Sequence, residues 1–336
     1  MHHPYTISAI AIGLLALAGC QQQQTTQGST ASTSAAAPAP LDRAAFEQDV
    51  AKWRSARVER LRKPDGWLSL VGLHWVEPGV HQLGMAESND IQLRTGPAKL
   101  GTLKLADSKA VFIPDPNAGV TIDGKPVTGD IALKSDATTD PKGPTIVAFN
   151  SGSANFQVIE RSGKYALRVK DANAPTRTGF LGIDYFDMDP SWRVNARFEP
   201  HPKGQTIQIA SVINTIDPMM NPGTLVFDKD GKTYRLEAVD EGDGRMFLIF
   251  ADHTNGKSTY AFRFVYADAP KNGMTVLDFN KSYNPPCVFT HYATCPLPPP
   301  ENHLDLTITA GEKSYRGTVK HDAPEAPAST TDGKKS

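Results

Sequence analysis

The stretch Val120-Thr121-Ile122-Asp123-Gly124-Lys125-Pro126-Val127 decides how most of this chain reads. A β-branched run, then Asp-Gly, then a second short run ending on valine is the pattern of a two-residue hairpin. Asp-Gly supplies two positive-φ positions, which match the right-handed twist of the strands it joins. Working outward, the same grammar recurs. Short apolar runs at Trp67–Val71, 91–93, 101–105, 111–113, 131–133, 145–149, 156–160 and 165–169 alternate with Gly, Pro, Asn and Asp. No helical pattern alternates with them, so the first half is expected to be an antiparallel sandwich or barrel. A second set follows at 207–212, 224–227, 233–238, 246–251, 259–265, 275–278, 304–309 and 314–319, with Lys229-Asp230-Gly231-Lys232 as a further hairpin. The fold class is mainly β: two antiparallel sandwich- or barrel-like units and one N-terminal helix.

That helix is read from Leu41 and Phe46, spaced as a hydrophobic staple about Asp42 as N-cap, and from Phe46, Val50 and Trp53 at i, i+4 and i+7. Pro64-Asp65-Gly66 stops it. Arg57 falls on the same stripe and must either pair with an interior carboxylate or reach a site. Domain limits follow: a leader over 1–19, a tether over 20–40, helix plus sandwich over 41–170, a linker or shared rim over 171–202, a second β unit over 203–320 and a polar tail over 321–336.

The ends carry their own information. The apolar run 10–18 is too short to span a bilayer but suits a signal-peptide core. It ends Leu17-Ala18-Gly19-Cys20, which resembles the lipobox of bacterial lipoproteins. That resemblance implies cleavage before Cys20, lipidation of its sulfur, and, with Gln21 following, the periplasmic side of the outer membrane. Residues 21–40 are Gln, Ser, Thr, Ala, Pro and one Gly, a composition that gives a flexible tether of roughly 25 Å mean extension. Lys+Arg 35 against Asp+Glu 36 gives a net charge of -1, and no basic run interleaves with aromatics. Nucleic acid is therefore not an expected partner. No cofactor fingerprint, phosphate loop, nucleophile elbow or zinc-helix motif is present in the sequence, and nothing marks an oligomeric interface.

The least regular segment runs from Leu277 to Asn302 and gathers six prolines, three asparagines, two tyrosines, Cys287, Cys295 and His291. Such a segment is costly to order, because its backbone needs partners outside any ladder. Four readings stay open. In an oxidising compartment Cys287 and Cys295 form a disulfide that staples the loop, a closure worth about 2.5 kcal/mol. Alternatively, the loop presents Asn284 and Asn302 to a small polar ligand, with Arg57, His74, Arg168, Lys170 and Arg193 as an anion-recognising wall. Asp278, Asn280, Tyr283 and Glu301 are the catalytic candidates should the site be a hydrolase acting on a polar envelope molecule. The remaining two readings use the cysteines with His291 or His74, as a metal site or as an activated nucleophile. Trp67, Trp75 and Trp192 are expected in the core, and Met219-Met220 in an exposed turn.

Several pieces together resemble one known family. Gly66 through Trp75, Leu167-Arg168-Val169-Lys170-Asp171, Trp192-Arg193-Val194 with Ala196-Arg197-Phe198, and Leu277 through Asn302 look like the DUF1684 family of bacterial and archaeal proteins. The likeness extends over most of the span from Trp53 to Tyr315. It implies a boundary and no mechanism. The chain departs from the family pattern at His291, often proline, and Phe262, often glycine. A further likeness, carried by Gly84, Ser88 to Leu93 and Val120 to Val127, is to forkhead-associated sandwiches. Met85-Ala86-Glu87 follows the glycine where those read phosphate with an arginine, so no phosphopeptide chemistry is implied. The expectation is a lipid-anchored periplasmic protein that binds a polar or anionic small ligand or serves as an envelope scaffold, with the hydrolase as the alternative.

Overall fold

A computed structural model of the chain describes residues 42–317. The leader, Cys20, the tether and the tail from 321 lie outside the described residues, as do Leu41 of the expected staple and the end of the run expected at 314–319. The first element is α1 (Arg43–Arg62), which begins where its cap signal stands: Asp42 accepts from the amide of Ala45 at 3.1 Å. Arg60 and Arg62 occupy its last turn, where the helix dipole favours cations. Phe46, Val50, Arg57 and Leu61 are its buried residues.

Eleven short strands build the first unit: β1 Leu70–Val76, β2 Gly79–Gly84, β3 Ile91–Gln92, β4 Gly101–Ala106, β5 Lys109–Pro114, β6 Thr121–Ile122, β7 Lys125–Pro126, β8 Ile131–Leu133, β9 Val147–Phe149, β10 Ala154–Arg161 and β11 Lys164–Asp171. They form a five-stranded sheet in the order β3-β2-β4-β5-β8 and a six-stranded sheet in the order β1-β11-β10-β9-β6-β7. Alternate residues of both sheets, among them Leu83, Leu103, Phe112, Phe149, Phe156, Leu167 and Val169, share one buried core. The hairpin at Asp123-Gly124 is present, with both residues at positive φ. One sequence expectation changes here: residues 67–69 form a 3-10 turn, and the strand starts only at Leu70.

A short helix, α2 (Pro175–Thr178), leads into the second unit, made of β12 Arg193–Pro200, β13 Thr206–Ala210, β14 Ile216–Lys229, β15 Lys232–Asp240, β16 Met246–Phe250, β17 Arg263–Ala267 and β18 Met274–Asp278. The sheet order is β17-β16-β15-β14-β12-β18, with β13 on the first part of β14. All its pairings are antiparallel, and it curls as a half-barrel until β17 and β18 lie near each other. Strand β12 comes from the stretch expected to be a linker, and it sits between β14 and β18. Met219-Met220 lies within β14 rather than in a turn.

The run 304–309 corrects the sequence reading in a more instructive way. Leu304, Leu306, Ile308 and Ala310 are buried at period two, as a strand would be, and they plug the concave side of the half-barrel. The segment is nevertheless not a strand. Two of its carbonyls, Ile308 O and Ala310 O, accept from the guanidinium of Arg263, which stands in for a ladder neighbour. Arg263 and Asp252 form an ion pair at 2.5 Å with both side chains fully buried.

Candidate functional site

The irregular loop is held in place by its asparagines. Asn302 accepts from the amide of Glu237 at 2.7 Å and donates to the carbonyls of Glu237 and Ile249 at 3.0 and 2.9 Å. It thereby joins β15 to β16 where their own ladder holds a single pair, Val239 with Phe247. Asn280 treats Asp189 the same way, accepting from its amide and donating to its carbonyl. The Asn284 amide donates to the carbonyl of Lys313, and its backbone N–H donates to Glu312. All three residues are fully buried or nearly so. Their amides replace backbone partners, and Asn284 Oδ1 is left buried without one.

Arg57 finds the interior carboxylate that its position required. Its Nε donates to Glu312 at 2.9 Å, and a second nitrogen donates to the carbonyl of Asn284 at 2.9 Å. Gly311, at positive φ, makes this possible, because a Cβ there would lie 2.5 Å from the carbonyl of Ser282. The helix, the loop and the chain end are thus tied through one charge pair.

Outside that tie opens a cleft of about 1060 Å³, bounded by α1, the turn after it, the edges of β10, β12, β16, β17 and β18, and the loop. Arg57, Arg60, Lys63, Arg161, Arg193, Arg245 and Lys281 line it, and outnumber Asp49, Asp65, Glu241, Asp268 and Asp278. Its floor is aromatic. Tyr266 and Tyr283 stack with centroids 6.2 Å apart and 12° between planes, Arg245 lies 3.9 Å over Tyr266, and Arg57 lies 4.7 Å over Tyr283. Tyr266 donates to Glu241, and burial holds both phenols well above their ordinary pKa. They are neutral rings that line the cavity between the guanidinium groups of Arg245 and Arg57.

Among the residues singled out in sequence, the cleft gathers Arg57, Arg193, Asp278 and Tyr283. Asp278 is already engaged: Oδ1 accepts from the amide and side chain of Asn280, and Oδ2 accepts from Arg193 at 3.2 Å. Glu301 is exposed on the 3-10 turn Pro300–Asn302, outside the cleft lining. Lys170 donates to the carbonyl of Asp65 at 2.7 Å. His74 stands apart on β1, half-buried, with Nε2 unpartnered; burial, then Arg94, lowers its pKa. Its ring occupies the space over Gly72, where a Cβ would come within 2.7 Å of Nε2. Of the tryptophans expected in the core only Trp192 is buried; Trp75 is 41% exposed, and Trp67 is 39% exposed and lines the cleft.

Arg168 lies behind Trp67 and Thr294 at the sandwich end of the cleft. It is only 5% exposed, its guanidinium lies 5.3 Å over the Trp67 ring, and one nitrogen donates to Thr294 Oγ1 at 3.0 Å. Nε has no partner, and burial first, then Arg161, pushes the group down to about 10, still cationic at neutral pH. Arg161, beside it, holds Asp136 through two nitrogens and reaches the same Thr294 hydroxyl at 3.3 Å.

The two cysteines are thiols here, and the bridge expected between them is absent. Cys287 is fully buried and Cys295 is 3% exposed, with the amide of Cys287 donating to Cys295 Sγ at 3.1 Å. Burial pushes the Cys295 thiol up, while its hydrogen bond holds Cys287 down. His291 is exposed. Among the described residues no group of three or more His, Cys, Asp or Glu side chains could hold a metal ion, so the metal reading finds no third ligand.

Sequence reasoning missed most of the cleft wall. Arg60 was within reach, since Trp53, Arg57 and Arg60 follow helical spacing. Arg245, Tyr266 and Thr294 join the site only through the curl of the sheet and the path of the loop.

Comparison with known proteins bears on the second half. A family model described as a protein of unknown function, DUF1684, matches residues 178–313. A solution structure of an uncharacterized protein from Haloarcula marismortui is 30% identical, covering 41% of this chain and 78% of that one, with a TM-score of 0.34. No match was found among curated proteins.

Proposed function

The chain belongs to the DUF1684 family, and on that premise we propose that it binds a small, polar, anionic ligand in the cleft between α1, the half-barrel and the buried loop. The observation that carries this is the stacked Tyr266–Tyr283 floor with guanidinium groups over both rings, inside a cavity of about 1060 Å³. The cleft is far more charged than a usual small-molecule site, with seven basic and five acidic residues in its lining, which suits a polar, anionic ligand over an apolar one. Binding is preferred to hydrolysis because Asp278 is committed to Arg193 and Asn280, and Glu301 stands outside.

Anchored through Cys20 on the periplasmic side of the outer membrane, the domain would sample envelope metabolites at the length of its tether. In that compartment Cys287 and Cys295 would give two protons and two electrons to its disulfide oxidants and bridge; a thiol count on unreduced, denatured protein reads this directly. A Cys20→Ala variant should leave the membrane fraction.

The ligand claim is tested by following unfolding of the mature protein against small aromatic and aliphatic carboxylates and phosphates, with neutral isosteres as controls. Anions should raise the melting temperature and their neutral isosteres should not. Tyr266→Ala should weaken the aromatic acids by about 2- to 12-fold, the scale of a lost aromatic contact. Equal response to charged and neutral compounds would contradict the reading.

A further inference from the structure

Arg168 has no carboxylate partner, which sets it apart from its neighbour Arg161, held by Asp136. A guanidinium that is 5% exposed, with one unpartnered nitrogen and a neutral hydroxyl as its hydrogen-bond acceptor, has lost hydration without gaining a counterion. Thr294 sharpens the point. Its Oγ1 accepts from Arg168 at 3.0 Å and from Arg161 at 3.3 Å, which occupies its lone pairs and leaves its proton to donate. Thr294, Arg161 and Trp67 line the cleft. Two guanidinium groups, one carboxylate and one hydroxyl donor therefore meet at this end, with one positive charge left over.

We propose that this corner is an oxyanion subsite: a carboxylate or phosphate group of the cleft ligand accepts from Thr294 and is neutralised by Arg168, with its body directed toward Tyr266 and Tyr283. This rests on the cleft being the ligand site, and it fixes which end holds the charge. The ligand class is an organic acid or phosphate ester with a planar body.

The test uses the mature full chain and inorganic phosphate, titrated at constant ionic strength against chloride. Wild-type protein should gain about 3 °C or more in melting temperature at saturation. Arg168→Met should cost about 10- to 100-fold in phosphate affinity, the scale of removing one nearby opposite charge, while its melting temperature in chloride is unchanged or higher. Thr294→Val keeps the charge and should weaken phosphate by about 5- to 20-fold, so the subsite is testable even if the first variant fails to fold. Phosphate acting no differently from chloride, or acting equally on wild type and either folded variant, would overturn the subsite. Organic acids that bind Arg168→Met as tightly as wild type would also overturn it, leaving the cleft reading intact. Failure of every small anion, organic or inorganic, would remove both.

Discussion

Two buried arginines, Arg263 and Arg168, have opposite surroundings. Arg263 is fully buried in the half-barrel, with Asp252 as counterion and the carbonyls of Ile308 and Ala310 as further acceptors. Arg168 is nearly as buried at the sandwich end of the cleft, yet donates to no carboxylate and shares one threonine hydroxyl with Arg161. The first leaves its Nε unpartnered, but Asp252 neutralises its charge and its other nitrogens replace a missing ladder along 304–310. The second carries a desolvated charge with no bonded carboxylate, eased by the Thr294 hydroxyl and the face of Trp67. Both leave Nε unpartnered, so the informative difference is the counterion, and the residue without a bonded carboxylate is the one that points to a ligand.

The comparison can be broken most forcefully at Asp252. Asp252→Ala leaves Arg263 charged and unpaired, and should cost about 3–5 kcal/mol in chemical denaturation. A loss under 1 kcal/mol would remove the contrast. Glu312→Ala should cost nearly as much, about 3 kcal/mol, because it frees Arg57 and the amide of Asn284 together. Asn302→Ala removes the surrogate pairing between β15 and β16 and should cost about 1–3 kcal/mol without altering anion binding. An Asn302 variant that loses ligand but not stability would return the loop asparagines to the site. Arg168→Met should lie within about 1 kcal/mol of wild type or above it.

The smallest effect is expected at His74. Its folded pKa is lowered by burial, so the unfolded chain binds the extra proton first and stability rises with pH. The contribution is complete above the unfolded value near 6.5 and is lost as pH falls through the lower folded value. His74→Gln should flatten that part of the stability profile; an unchanged slope between pH 5 and 7, a window taken about the ordinary histidine pKa, would show the ring to be solvated.

Local signals carried much of the architecture. Asp42 as cap, Pro64 as stop, Asp123-Gly124 as hairpin and the strand runs at 156–160 and 165–169 are short-range facts of sequence, and each is where the structure has it. In the structure the pairing of β10 with β11 puts Arg161 and Arg168 on one face, opposite Phe156, Val158, Leu167 and Val169. What sequence could not show was long-range. Residues 304–310 alternate like a strand, but their carbonyls go to a side chain from β17. Thr294 reaches Arg168 across 126 positions. The loop asparagines looked like ligand groups because residue type does not distinguish an amide that binds substrate from one that replaces a backbone partner.

The most direct test sets wild type beside Arg168→Met in denaturation with phosphate or chloride at matched ionic strength. Phosphate should stabilise wild type and leave the variant unmoved, and the variant in chloride should be at least as stable as wild type. A variant that loses stability as Asp252→Ala does, with an unchanged response to phosphate, would show that Arg168 is structural and contradict the account.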